Sequence, residues 1–287
     1  TVMRDGETIE TDRIANTDHD AIIRRMVGEK GELAPPAEAA NEAASRGGRA
    51  ILKVEGFSGP GFANIGFEVT EGEIVGFGGL HGQGQSAVLR ALFGASSGNS
   101  GTVTLDGQTV SAAQPRAAIR QGFAYISGDR GRDGAIAGRP ILENVTPIHF
   151  LKNRLTLARP SHLRDKALPA LEALKTKYAG LASSINSLSG GNQQKIIIAR
   201  WLIDRPTVLL LDDPTKGIDL QTKTDLFALI RELAAEGMAI VLYSSEDAEL
   251  LNNADRILVF NSGTIARELT GSERTRYNLY HAAYEAA

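Results

Sequence analysis

Short, continuously apolar segments that alternate with helical stretches are the feature that most limits how this chain can fold. The runs "TVLLL" at 207–211 and "MAIVLY" at 238–243 contain no alternation of polar and apolar residues. Such runs are typical of strands that are covered on both faces, as in parallel sheets with helices packed on each side. The sequence therefore predicts an α/β core.

The same periodicities place the individual elements along the chain. The stretch from about 141 to 205 is mostly helical, and we expect it to form a helical subdomain inserted in the α/β core. The predicted strands lie at 50–55, 63–69, 73–78, 102–105, 123–127, 207–212, 238–244 and 255–260. The predicted helices lie at 85–94, 114–121, 161–178, 192–204, 220–236, 246–252 and 272–285.

Two similar tails flank this core. The segments "TVMRDGETIE", which opens at Thr1, and "ILVFNSGTIARELT" each place a turn glycine between two alternating segments, and these glycines, Gly6 and Gly263, are 257 residues apart. Thr17 and Thr270 follow, each with an acid three residues later as in a capping box, and are 253 residues apart. The similarity predicts a fragment of a longer tandem repeat. Two unrelated hairpin-helix endings are the alternative.

This repeat implies three parts of the chain. Residues 1–28 are the expected C-terminal remnant of a preceding unit. Residues 29–49, rich in Ala, Glu, Pro and Gly, have the composition of a linker. Residues 50–287 form the expected main domain.

Charge and composition exclude several classes of function. The net charge of -3 leaves no basic excess with which to bind nucleic acid or an anionic membrane non-specifically. The absence of cysteine excludes disulfides and thiolate metal sites. No apolar run approaches the roughly 18 residues of a membrane span, and there is no signal-peptide core. We therefore expect any membrane contact to go through a partner.

A glycine-rich turn between a predicted strand and a predicted helix has the spacing of a phosphate-binding loop. In "GFGGLHGQGQSAVLR", Gly79, Gly82 and Gly84 allow backbone N–H groups to converge on phosphate oxygens, and Ser86 stands where a hydroxyl binds Mg²⁺. Gln85 occupies the position of the usual lysine. Losing one charge-assisted hydrogen bond predicts nucleotide binding about three- to thirtyfold weaker.

Two further segments point to the same chemistry. Ser189, Gly190 and Gly191 precede a helix with an apolar face, so a hydroxyl and two small residues stand at the positive end of a helix dipole. The strand "TVLLLDD" ends in Asp212 and Asp213, where an acid beside a phosphate loop can hold Mg²⁺.

In this order, the phosphate loop, "LSGGNQQK", the strand-end acids and "PTKGID" resemble the ATP-binding cassette of ABC transporters. The forms "LSGGNQQK", "DPTKGID" and "YSSEDAELL" resemble the second cassette of tandem ATPase subunits of bacterial sugar importers of the ribose and galactose type. The resemblance covers essentially the whole chain. It implies an ABC-type P-loop ATPase core with an antiparallel β subdomain and a helical subdomain.

The resemblance also implies cofactors and partners. The cofactors are ATP and Mg²⁺. The partners are the first cassette of the same chain, transmembrane permease subunits and, indirectly, a periplasmic sugar-binding protein, with no role for nucleic acid. The implied location is cytoplasmic, peripheral on the inner face of the membrane.

In this family each ATP lies between the phosphate loop of one cassette and the Leu-Ser-Gly-Gly signature of the other. The resemblance makes 79–86 the phosphate loop, 189–191 the signature presented to the partner, Asp212 the acid directed at Mg²⁺, and Asp219 part of a loop that crosses the interface. It places Asp213 and Ser245 at the two catalytic positions.

Four positions depart from the family pattern. The usual residues are Lys at Gln85, Glu at Asp213, His at Ser245 and a Gln in the loop aligned with "AYISGDR", where Ser127 and Gly128 also depart from related second cassettes. Asp213 is one methylene shorter than Glu, and a displacement near 1 Å costs on the order of a hundredfold in rate. The expected function is a sugar-import ATPase component whose own site is degenerate and whose signature completes the partner site.

A non-hydrolytic nucleotide-sensing or scaffolding cassette is the alternative. A DNA-repair type of ABC protein is disfavoured, because no long heptad run interrupts 94–188.

Overall fold

The computed structural model describes residues 1–4, 7–13, 16–27, 48–111 and 113–284. These residues form two sheets, a separate hairpin and the helices around them. The predicted α/β fold with an antiparallel β subdomain and a helical subdomain is confirmed.

The strands and helices follow one another along the whole described chain. The strands are β1 (Val2–Arg4), β2 (Glu7–Glu10), β3 (Ala50–Gly59), β4 (Phe62–Thr70), β5 (Ile74–Gly79), β6 (Ser100–Leu105), β7 (Gln108–Thr109), β8 (Phe123–Ser127), β9 (Val208–Asp212), β10 (Ala239–Tyr243), β11 (Arg256–Asn261) and β12 (Thr264–Thr270). The helices are α1 (His19–Val27), α2 (Gln85–Leu92), α3 (Pro115–Gln121), α4 (Ile141–Val145), α5 (Pro147–Asn153), α6 (Pro160–Ala173), α7 (Gly190–Leu202), α8 (Leu220–Ala235), α9 (Asp247–Asn253) and α10 (Arg276–Tyr284).

The central sheet is built from strands that are apolar along their length. In the described part of the chain its order is β12-β11-β5-β10-β9-β8, with β12 antiparallel at one edge and the other pairs parallel. Every residue of β9 and β10 is buried, as their continuous apolar runs predict. This order places β5 and β9 on either side of β10, so the loop after β5 and the acids ending β9 lie at the same edge of the sheet.

The antiparallel sheet, in the order β4-β3-β6-β7, forms the β subdomain, and α4 to α7 form the helical subdomain. The prediction of one helix over 161–178 is too long. Its counterpart α6 ends at Ala173, because Lys175 adopts a left-handed backbone conformation with φ of 47°, through which an α-helix does not continue. Two shorter helices, α4 and α5, precede it.

The two tails are both hairpins followed by a helix, but the predicted capping residues are wrong. Helix α1 is capped by Asp18, whose Oδ1 accepts from Ala21 N at 2.7 Å, and α10 by Thr275, whose Oγ1 accepts from Asn278 N at 3.1 Å. Thr17 and Thr270 lie upstream of these caps, and Thr270 precedes the short 3-10 helix Gly271–Glu273 without making a side-chain cap hydrogen bond. The turn residue Gly6 and the predicted linker, apart from 48 and 49, lie outside the described residues.

Candidate nucleotide site and signature surface

The phosphate loop connects β5 to α2 through backbone conformations that favour glycine. Gly79 has φ of 111°, and a Cβ there would overlap the carbonyl oxygen of Phe260 on β11. Gly84 has φ of 108° and is the N-cap of α2. Gly82 has φ of 82°, with open space around it. The loop thus combines a tightly packed base with an open tip at the positive end of a helix.

Gln85 lies beneath this loop. The residue is 1% exposed, and its Nε2 donates to the carbonyl oxygens of Gly78 at 3.1 Å and Leu80 at 3.0 Å. The amide therefore satisfies two carbonyls of the loop, but it brings no positive charge. The side chain that replaces the usual lysine stabilises the loop itself.

Ser86 and Asp212, predicted to hold Mg²⁺, lie together. Ser86 Oγ donates to Asp212 Oδ1 at 2.6 Å, and Asp212 is 6% exposed. Hydroxyl and carboxylate oxygens are the hard donors that Mg²⁺ takes in proteins, so this pair fits the ion.

Tyr125 is a site residue that the sequence analysis missed. Its hydroxyl donates to Asp212 Oδ2 at 2.5 Å, and its ring stacks on Phe93 with centroids 5.3 Å apart. Burial, followed by the charge of Asp212, raises the pKa of the Tyr125 phenol, so the phenol remains a donor. A hydroxyl-bearing side chain in the otherwise apolar strand "FAYI" was the available signal.

The two residues predicted to be catalytic, Asp213 and Ser245, are hydrogen-bonded to each other. Asp213 Oδ1 accepts from both the backbone N and the Oγ of Ser245, each at 3.1 Å. Asp213 is 9% exposed and has a left-handed backbone with φ of 56°, which aspartate tolerates better than most residues. The sequence predicted two separate departures, whereas the structure shows one hydrogen-bonded pair.

Gly128, another departure, packs against the acids at the end of β9. Its N–H donates to Asp212 O at 2.7 Å, and a Cβ at this position would overlap the carbonyl oxygen of Asp213. The close approach of β8 and β9 therefore requires glycine here. A side chain such as glutamate could not be added without moving Asp213.

His81, at the tip of the phosphate loop, contacts the neighbouring strand. Its Nδ1 lies 2.9 Å from the hydroxyl of Tyr243 on β10. Burial, and then the charge of Asp213, raises the pKa of Tyr243 to about 12. The His81–Tyr243 contact joins the loop to the strand between β5 and β9.

The signature forms a second group of site residues at the start of α7. Ser189 is the N-cap residue, and its Oγ accepts from Asn192 Nδ2 at 3.0 Å. Ser189 and Gly190 are exposed, whereas Gly191 is buried. A Cβ on Gly191 would lie 2.6 Å from Thr222 Oγ1, so the start of α7 packs closely on the start of α8.

Asp219 joins the signature group through Thr222. It is the N-cap of α8, and it accepts from the backbone N of Thr222 at 3.0 Å and from its Oγ1 at 2.8 Å. These hydrogen bonds lower the pKa of the Asp219 carboxyl. The site residues predicted from the sequence thus fall into two groups: the pocket, which contains 79–86, Asp212, Asp213 and Ser245, and the signature group.

A buried arginine anchors the signature helix. Arg200 of α7 donates from Nε to Asn144 O at 2.5 Å and from Nη1 to Gly134 O at 2.8 Å. Burial lowers the pKa of its guanidinium to about 10. The signature helix is therefore attached to the segment that follows β8, the strand that carries the pocket residue Tyr125.

The fold and the two groups of residues define an ATP-binding cassette, and the comparison with known families agrees. Residues 62–216 match the family described as ABC transporter, and the chain belongs to that family. Within the described residues, no helix is both long enough and apolar enough to cross a membrane.

The chain is also similar to curated ribose import ATP-binding proteins. It is 39% identical to RbsA 1 of Rhizobium meliloti over 286 residues, which cover 99% of this chain and 56% of that protein. It is 39% identical to RbsA of Rhodococcus jostii over 290 residues, with the same two coverages. The chain thus spans about half the length of these relatives.

Solved structures share the fold. A dimeric ATP-binding cassette in a post-hydrolysis state, bound to ADP and phosphate, matches with a TM-score of 0.67 and 23% identity, covering 77% of this chain and 98% of that one. A nucleotide-free cassette of an ABC transporter matches with a TM-score of 0.66 and 21% identity, covering 79% and 93%.

Proposed function

We propose that this chain is the second cassette of a tandem ATPase subunit that drives sugar import, and that it supplies its signature to the ATP site of the preceding cassette. One contrast carries the proposal. The polar groups of the pocket, namely Gln85, Asp212 and Asp213, are hydrogen-bonded to other groups of the protein. Ser189 and Gly190, by contrast, are exposed at the start of a long helix.

The tandem arrangement is supported by coverage and by the tails. The curated relatives match along 99% of this chain but only 56% of their own length, which leaves room for another cassette. The hairpin and helix formed by β1, β2 and α1 have the architecture of β11, β12 and α10, as expected of the end of a preceding cassette. We therefore assign 1–28 to that cassette, 29–49 to a linker and 50–287 to this one.

At the shared site, the signature would bind the terminal phosphate of ATP held by the preceding cassette. The Ser189 hydroxyl, the N–H groups that begin α7 and the helix dipole favour the negative charge that develops on phosphoryl transfer. Gly191 allows α7 to lie close to α8, because a side chain at this position would overlap Thr222.

In its own pocket, we propose that the cassette binds MgATP weakly and hydrolyses it slowly or not at all. Ser86 and Asp212 would hold Mg²⁺, which would neutralise phosphate charge. Gln85 adds no charge, and the Asp213 carboxylate already accepts two hydrogen bonds from Ser245. A carboxylate held in this way is poorly placed to accept a proton from an attacking water.

The remaining assignments follow the function of the curated relatives. Ribose import ATP-binding proteins give the substrate class, and we propose permease subunits as direct partners and a periplasmic sugar-binding protein as an indirect one. The proposed location is the cytoplasmic face of the membrane.

The proposal is tested by ATPase assay of the full subunit with its permease. Ser189→Arg should lower turnover by about a hundredfold or more, as expected when a transition-state contact is removed and blocked. Ser187→Arg, an exposed change in the short 3-10 helix Ile185–Ser187 just before the signature, is the matched control and should leave turnover unchanged. Gln85→Ala should leave most of it, with thermal unfolding measured in parallel because Gln85 is buried. Normal turnover in Ser189→Arg would refute the signature role.

The second candidate is a non-hydrolytic nucleotide-sensing or scaffolding cassette, and the Asp213–Ser245 pair favours it. The non-hydrolytic character of this second candidate is tested by disabling the phosphate loop of the preceding cassette in the full subunit. Any hydrolysis that remains, and that Asp213→Asn then removes, belongs to this pocket and argues against the scaffold.

A further inference from the structure

The two tails correspond residue by residue. Adding 257 to the residue number takes the first residue of β2, Glu7, to the first residue of β12, Thr264, and both ends of α1 to both ends of α10. The same number takes the cap Asp18 to the cap Thr275, and its partner Ala21 to Asn278. One constant offset across a strand, a helix and its cap indicates that α1 and α10 are equivalent elements of a repeat.

These two equivalent helices pack against each other. The guanidinium of Arg24 on α1 lies over the ring of Tyr277 on α10, 5.7 Å from its centre. Ile23 on α1 is only 2% exposed. Helix α1 is in turn joined to its own hairpin, because Arg25 forms an ion pair with Glu10 at 2.9 Å. The contact therefore joins two tails that each carry their own hairpin.

A contact between equivalent elements is the kind that a two-fold axis generates. In an isologous pair the same surface is used on both sides, whereas in a head-to-tail chain of repeats an element contacts a different element of its neighbour. The α1–α10 contact joins equivalent elements, as a contact of the first kind does. It fits two cassettes related by a pseudo-two-fold axis that passes between these helices.

Helix α10 is also attached to the nucleotide pocket. Its Leu279 is 2% exposed and packs on Gly78 of β5, where an added Cβ would lie 2.5 Å from Leu279 Cδ1. Leu279 and Tyr280 also line a cavity of about 130 Å³ together with Gly79 and Ser245. The helix that touches α1 thus lies directly against the strand that carries the phosphate loop.

We propose that α1 and α10 form a permanent contact between the two cassettes of one polypeptide, which lies at their pseudo-two-fold axis and serves as the hinge when the cassettes open and close. The inference rests on the tandem arrangement of the proposed function. It adds an interface that nucleotide does not form: the signature and phosphate loop meet around ATP, while the α1–α10 contact persists through the cycle.

Cross-linking of the full subunit tests this contact. Because 1–287 contains no cysteine, Arg24→Cys and Tyr277→Cys provide a defined pair once any cysteines elsewhere are replaced. A short bismaleimide is added, and a protease site placed in the 29–49 linker reports the link, since cleavage separates the halves unless they are joined. Ile23 is unchanged in this variant.

We expect the cross-link to form about equally with and without MgATP, and the cross-linked subunit to retain its ATPase activity with permease. The control pairs Arg24→Cys with Leu157→Cys, which is 89% exposed in the helical subdomain and should not cross-link. This control is needed because tethering alone gives effective concentrations in the millimolar range, about 1 mM or more.

A yield that depends on nucleotide, a cross-link that stops turnover, or equal linking of the Leu157 control would overturn the proposal. These outcomes are distinct from failure of the signature role. Ser189→Arg with normal turnover would remove that role and leave the contact standing, whereas a nucleotide-dependent cross-link would remove the contact and leave the signature role standing.

Discussion

The pocket and the signature differ in where their polar groups are directed. In the pocket, the amide of Gln85 donates hydrogen bonds to carbonyl groups of its own loop. Both carboxylate oxygens of Asp212 accept hydrogen bonds from hydroxyl groups, and Asp213 accepts one from the hydroxyl of Ser245. In the signature group, Ser189 is exposed and its hydroxyl accepts from its neighbour Asn192. The pocket groups named here are buried and bonded to other parts of the protein, whereas the start of α7 is exposed, where a partner can reach it.

Glycine substitutions give the largest expected difference between the two regions. Gly79→Ala should destabilise the domain by more than about 3 kcal/mol, since it combines positive φ with an overlap against the backbone of β11. Gly191→Ala should cost only about 1–2 kcal/mol, because its overlap is with the side chain of Thr222. Urea unfolding measures both.

Two further substitutions separate the cost of side-chain overlap from the cost of backbone strain. Thr222→Ala removes the atoms nearest to the new Cβ at position 191, so it should recover most of the stability of Gly191→Ala. Gly82→Ala, with positive φ but open space, is the control for backbone strain and should cost about 1 kcal/mol. If Gly79→Ala were as mild as Gly82→Ala, the packing of the loop base would be wrong.

The pH dependence of stability should also differ between substitutions on the pocket side and substitutions on the signature side. Burial raises the pKa of Asp255 to about 6, and its Oδ2 accepts from Ile74 N, which begins the phosphate-loop strand, at 2.7 Å. The folded state therefore holds this proton more tightly than the unfolded state. The stabilisation is full below the unfolded pKa near 3.8 and is lost as the pH rises through 6.

Between pH 4 and pH 7, the wild type should accordingly lose about 2–3 kcal/mol relative to Asp255→Asn, which keeps an acceptor for Ile74. Urea unfolding of both proteins across this range is the measurement. Arg200→Gln on the signature side is the control, because the wild-type guanidinium remains charged throughout this window and glutamine does not titrate, so this stability difference should not vary with pH. A difference that does not vary with pH would contradict the assigned pKa of Asp255.

The smallest expected effect is a partial repair of the pocket. Gln85→Lys should tighten MgATP binding by the isolated chain about three- to thirtyfold, because a charged donor replaces a neutral one. Hydrolysis should remain negligible, since Asp213 and Ser245 are unchanged. Calorimetric titration and a phosphate-release assay measure the two quantities. Robust hydrolysis by Gln85→Lys, or by the unaltered fragment, would show that the pocket is competent.

Local signals predicted much of this fold. The continuous apolar runs predicted the buried strands β9 and β10, and the glycine spacing placed the phosphate loop between β5 and α2. The Ser86 and Asp212 positions were predicted as a Mg²⁺ pair, and they are hydrogen-bonded in the structure. Each of these depends on residues close together in the chain or on a motif of fixed spacing.

The sequence by itself determined the class of fold, because local periodicity specifies buried strands and helices. It predicted the two groups of site residues from motifs of fixed spacing, and the departures from the family pattern from the resemblance. Only the tertiary structure decided how the departures act together. Tyr125 reaches Asp212, and Ser245 reaches Asp213, through the register of neighbouring strands. That register is set by packing of the whole sheet, so no local segment specifies which side chains meet at its edge.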